Sequence, residues 1–137
     1  MSDSLDQLST IQAPTVLVNV SNHPSDKWPD AQKNAAAQWA DQLVDRPFPH
    51  VSPLLDAAEL VALAEHIADE LQERYARIAA VHLMGELTLT YALVGILHKR
   101  GFTVLASTTE RIVHAEEDGR KTSEFRFVRF REYPRAR

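Results

Sequence analysis

The sequence predicts one α/β domain built on an open sheet, with parallel strands at its centre, helices on both faces and an antiparallel hairpin at its C-terminal end. Three observations carry this. Short, nearly continuous apolar runs rich in β-branched residues alternate with longer stretches of helical periodicity, as when crossover helices join parallel strands. Each of those apolar runs ends in a polar cluster. The final segment has no helical pattern and instead places Asp118-Gly119 between two strand-like runs, a strong hairpin signal.

The elements follow in order. TVLVNV (15–20) reads as a central strand covered on both faces, because it leaves no solvent side. DAQKNAAAQWADQLV (30–44), alanine-rich and preceded by Pro29, reads as a helix. The prolines of FPHVSP (48–53) permit only a short edge strand or a loop. Asp56 opens a long helix in which Leu60, Leu63, Ala64, Ile67, Leu71 and Tyr75 recur every three or four residues, opposite a face carrying Glu59, Glu65, His66, Glu70 and Glu73. IAAVHLM (78–84) is a second doubly covered strand, ELTLTYALVGILHKR a helix stopped by Gly101, and FTVLAS (102–107) a third strand. In the last strand Phe125 and Phe127 share one face while Phe130 falls on the other, so the strand is expected either to bulge or to leave the sheet near Val128. Together these give a Rossmann-like domain over residues 13–137, behind a polar, flexible lead over residues 1–12.

Composition narrows the function. The 137 residues include no cysteine, which removes disulfides, thiolate nucleophiles and zinc–thiolate sites and fits a cytoplasmic location. Apolar runs fall far short of a membrane span. Net charge is −4, yet residues 120–137 hold seven basic and two acidic side chains. An acidic protein with a basic end is a poor partner for duplex DNA but can hold one compact polyanion, and the same arginines also suit a solvated edge strand.

Ligands of open parallel sheets collect beyond the carboxyl ends of the strands. Three polar segments are expected there: Ser21, Asn22, His23 and Pro24 after the first strand; Met84, Gly85 and Glu86 after the second; Ser107, Thr108, Thr109, Glu110 and Arg111 as a loop after the third. Gly85 allows close backbone approach, the three hydroxyls supply donors, and Arg111 supplies a forked cation, a set suited to phosphate or ribose. His23 has the side chain for proton transfer near neutral pH and equally for holding its own loop. Glu86 is open between a base and a helix cap. His82, between Val81 and Leu83, reads as a packed core histidine. His50, His66, His98 and His114 show no metal-ligand spacing, so neither a metal nor another cofactor is expected. No GxGxxG, GxxxxGK[ST] or GxSxG pattern occurs.

ASTTER (106–111), the acidic hairpin with DGRK, and SEFRFVRFREY (123–133) together resemble the end of small CRISPR-associated ring nucleases, compact relatives of the CRISPR-associated Rossmann fold. NVSNHP and HLMGELTLTYALV are similar to that group's first-strand loop and Gly-Glu helix entry. The resemblance implies a homodimer that binds cyclic oligoadenylate, most often the four-membered ring, across its two-fold axis. It implies an enzyme that degrades this second messenger without a metal, by attack of a ribose 2′-hydroxyl on the adjoining phosphate, and so switches off a type III antiviral response. On that reading His23, Arg111 and Glu86 are the catalytic candidates; Ser21, Asn22, Gly85, Ser107, Thr108 and Thr109 bind the ligand; Arg129 and Arg131 reach either the ligand or the partner subunit.

Three rival classes compete with this reading. A sensor or sequestering module would use the same loops without cleaving the ring. A deoxyribosyltransferase-like enzyme would need a second catalytic group beside Glu86, and Tyr91 is poorly spaced for it. A scaffold would show a flat apolar surface in place of polar segments.

Overall fold

The computed structural model describes residues 13–137; the expected lead over residues 1–12 lies outside the described residues. Among the described residues five strands form one mixed sheet in the order β2-β1-β3-β4-β5. They are β1 (Val16–Ser21), β2 (Gln42–Asp45), β3 (Ile78–Met84), β4 (Val104–Ala115) and β5 (Lys121–Glu132). The first four run parallel and β5 returns antiparallel to β4. Three helices connect them: α1 (Asp30–Ala37), α2 (Ala57–Arg74) and α3 (Leu87–Lys99).

After β1 the chain crosses to β2 on one side and then to β3 on the other, so right-handed crossovers place α1 on one face and α2 and α3 on the opposite face. Period-two alternation sorts the strand side chains accordingly. Val16, Val18, Val20, Val81, Leu83 and Val104 pack with Ile67, Leu71, Leu89, Leu93 and Leu97 under α2 and α3. Leu17, Ala80 and Leu105 pack with Trp28 and Ala36 on the α1 face, where Phe127 and Phe130 of β5 complete the cover.

Helix ends follow the sequence signals. Asp56 and Glu59 form a reciprocal capping box at the start of α2. Gly101, at φ +87°, reverses the chain after α3, with Phe102 N–H donating to the Leu97 carbonyl. Gly119 takes the same φ in the hairpin turn.

Two elements differ from expectation. The helix predicted over 30–44 stops at Ala37, and QLVD becomes β2. Thr15 and Asp41 exchange backbone-to-side-chain hydrogen bonds of 3.0 Å, which docks this segment against β1 and puts Leu43 and Val44 into opposite cores. Tertiary pairing thereby outweighs helix propensity. Residues 107–111 are not a loop, because β4 continues unbroken through them into the hairpin. FPHVSP takes the loop alternative that its prolines left open.

Of the two alternatives for the last strand, the bulge is present. Thr108 pairs with Arg129 but Thr109 pairs with Phe127, leaving Val128 as the extra residue. That extra residue brings Phe127 and Phe130 to the same face, and both are buried with their rings 5.1 Å apart.

Candidate functional site

Where the strand order turns back between β1 and β3, the loops leaving their carboxyl ends diverge and open a cavity of about 440 Å³. Ser21, Asn22, His23, Gly85 and Ser107 line it, so the three chain segments singled out from the sequence each contribute. Lys27, Trp28 and Gln32 close the α1 side. A smaller cavity of about 180 Å³ lies across the Asn22–Pro24 loop, bounded by Asp45 and Phe48.

A polar row crosses the sheet on the α1 face; its Ser21, Gln32, His82 and Ser107 line the main cavity, whereas its Asn19 and Asp45 line the smaller one. Asn19 sits beside Asp45 on β2 and beside His82 on β3. The Asn19 Nδ2 group donates to the His23 carbonyl at 2.8 Å and to Asp45 Oδ1 at 3.0 Å. Its Oδ1 accepts from the Ser21 hydroxyl at 2.7 Å and lies 2.9 Å from His82 Nδ1. His82 Nε2 is 2.7 Å from Ser107 Oγ, which also receives Gln32 Nε2 at 3.0 Å. Asn19 and His82 are 1% and 2% exposed, yet every polar side-chain atom in the row has a partner, as burial requires.

His82 is held edge-on between Trp28, at 5.1 Å, and Phe130, at 5.5 Å. Burial in this aromatic clamp, with the charge of His23 adding to it, pushes its pKa down to about 4. It is a neutral imidazole at pH 7. Trp28 Nε1 donates to the His23 carbonyl at 3.1 Å, so the same tryptophan also fixes the loop at the cavity mouth.

Other sequence candidates lie elsewhere. Glu86 caps α3, accepting from Thr88 N–H at 3.1 Å and Leu89 N–H at 2.8 Å, and these bonds with that of the Thr88 hydroxyl lower its pKa. Its carboxylate is therefore a weaker base than an ordinary one. Thr108 exchanges hydrogen bonds with the Arg129 backbone. Thr109 and Arg111 are exposed on the hairpin arm beyond the cavity. Gly85 lines the cavity as expected, and it carries a second constraint: a Cβ there would collide with the Phe48 ring. Among the described residues no cluster of three His, Asp or Glu side chains could hold a metal ion.

Sequence reasoning passed over Asn19, Gln32 and Trp28 and assigned His82 to packing alone. A usable signal existed, since Asn19, Ser21 and His82 are polar residues on alternating positions of otherwise apolar strands.

Fold and site together define an open α/β protein with a ligand-sized polar cavity at the switch point of its parallel strands. The chain belongs to the uncharacterized protein MJ1673 family, whose model matches residues 15–131. No curated protein and no solved structure matches it. Among the described residues no helix is long and apolar enough to cross a membrane.

Proposed function

We propose that this protein is a CRISPR-associated ring nuclease that binds cyclic oligoadenylate, the four-membered ring by preference, between two copies of the chain and cleaves it without a metal. The observation that carries the reading is the switch-point cavity. It joins hydroxyl and amide groups suited to a sugar with Lys27 and His23 suited to a phosphate, and its Ser21, Asn22, His23, Gly85 and Ser107 lie on segments through which the sequence resembles that group. Its volume fits a single nucleotide, so a ring needs more than one cavity, and a two-fold pair supplies the second. Met84, Leu87 and Tyr91, apolar and exposed where α3 begins, offer surface for pairing. Phe125 and Val113 extend another apolar strip along the hairpin.

Cleavage forms a bond between a ribose 2′-oxygen and the adjoining phosphorus and breaks the bond from phosphorus to the 5′-oxygen. The 2′-hydroxyl loses its proton and the 5′-oxygen gains one, which leaves a linear product ending in a 2′,3′-cyclic phosphate. Positioning of that hydroxyl in line with the phosphate supplies much of the acceleration.

One observation favours a second reading, a binding module that holds the ring intact. Glu86 is committed to its helix and His82 resists protonation, so neither is a strong base. Incubating purified protein in excess over cyclic tetra-adenylate, with EDTA, and resolving the products separates the two. Linear product is expected; a tightly bound but intact ring establishes the binding module, and no binding removes both readings.

A further inference from the structure

Hydrogen-bond polarity along the polar row, from Asp45 to Ser107 in the main cavity, can be assigned from one end to the other. Asp45 and the His23 carbonyl are acceptors, which fixes the Asn19 amide with Nδ2 toward them and Oδ1 toward His82. Oδ1 can only accept, so His82 carries its proton on Nδ1 and presents a bare Nε2 to Ser107. Ser107 must then spend its single proton on His82. Gln32 occupies one of the two lone pairs of Ser107 Oγ. A single lone pair remains for the cavity, and no proton.

Resting on the ring-nuclease reading, we propose that Ser107 receives a hydrogen bond from the ligand's ribose 2′-hydroxyl and does not bind its phosphate. In a ring joined through 3′ and 5′ oxygens, the 2′-hydroxyl is the only free donor on each sugar. A phosphate oxygen has no proton to offer and would face the Ser107 lone pair unfavourably, whereas Lys27 at the mouth supplies the cationic side. Ser107 thus touches the attacking group directly. His82 and Asn19 are positioning residues that act through it.

Two measurements test the proposal. Long-range proton–nitrogen NMR correlations of the His82 ring at pH 7 should show Nδ1 protonated and Nε2 bare; the opposite tautomer overturns the assigned polarity. Affinities of wild type and Ser107→Ala should then be compared for cyclic tetra-adenylate and for its 2′-deoxy analogue. Wild type should bind the deoxy ring about tenfold more weakly. Ser107→Ala should bind the natural ring about tenfold more weakly and lose nothing further on the deoxy ring. Equal losses from the substitution on both rings place the hydroxyl elsewhere and overturn the inference alone. Failure of wild type to bind either ring defeats the proposed function and the 2′-hydroxyl assignment with it.

Discussion

Lowering the pH from 7.5 to 5 should weaken the wild-type fold more than that of His82→Gln, because the imidazole is buried in its neutral form. In the unfolded chain it takes up a proton near pH 6.5, whereas in the fold it resists until about pH 4. Between those values the unfolded chain binds more protons. The stability held by keeping His82 neutral is therefore complete above about pH 6.5, is lost progressively as the pH falls to about 4, and stays lost below. At about 1.4 kcal/mol per pH unit the full loss is about 3 kcal/mol, of which about 2 kcal/mol has gone by pH 5. At 2% exposure the side chain gets little relief from solvent. Urea unfolding of both proteins at the two pH values reads the difference, and the other histidines cancel because both proteins share them. A free-energy difference between the two proteins that is the same at pH 7.5 and pH 5 refutes the reasoning. So does an NMR titration in which His82 reaches its midpoint near 6.5, a result obtainable from wild type alone.

Gly85→Ala should cost about 1–3 kcal/mol, because the new methyl group meets the buried Phe48 ring; urea unfolding measures the loss, and an unchanged midpoint would show that the ring moves aside freely. Thr90→Val should raise stability by about 1 kcal/mol, since the buried Thr90 hydroxyl has no hydrogen-bond partner among the described residues and valine has the same shape; a fall in the thermal midpoint would show that the hydroxyl is satisfied.

Much of the architecture was legible because its signals are local. The helix start at Asp56, the turn at Gly119 and the stop at Gly101 each need only neighbouring residues to take effect. The Val128 bulge was legible from the phase of Phe125, Phe127 and Phe130, since alternation cannot bury the last two together without an added residue. QLVD was not legible as a strand. Its conformation depends on Thr15 and Asp41, 26 positions apart, finding each other.

The site divides in the same way. Ser21, Asn22, His23, Gly85 and Ser107 announced themselves as polar residues following apolar strands, a property of the chain order alone. Thr109 and Arg111 satisfied the same rule and yet lie out on the hairpin, because where a strand stops depends on its partner, and β5 keeps β4 extended past them. The sequence by itself determined the order of strands and helices, the apolar faces they must bury and which segments could meet at one edge. Only the tertiary structure decided that Asn19, His82 and Ser107 form a single row with one direction of proton donation. Such a row exists only once three strands lie side by side in register, because hydrogen bonds form over about 3 Å and sequence separation says nothing about that distance.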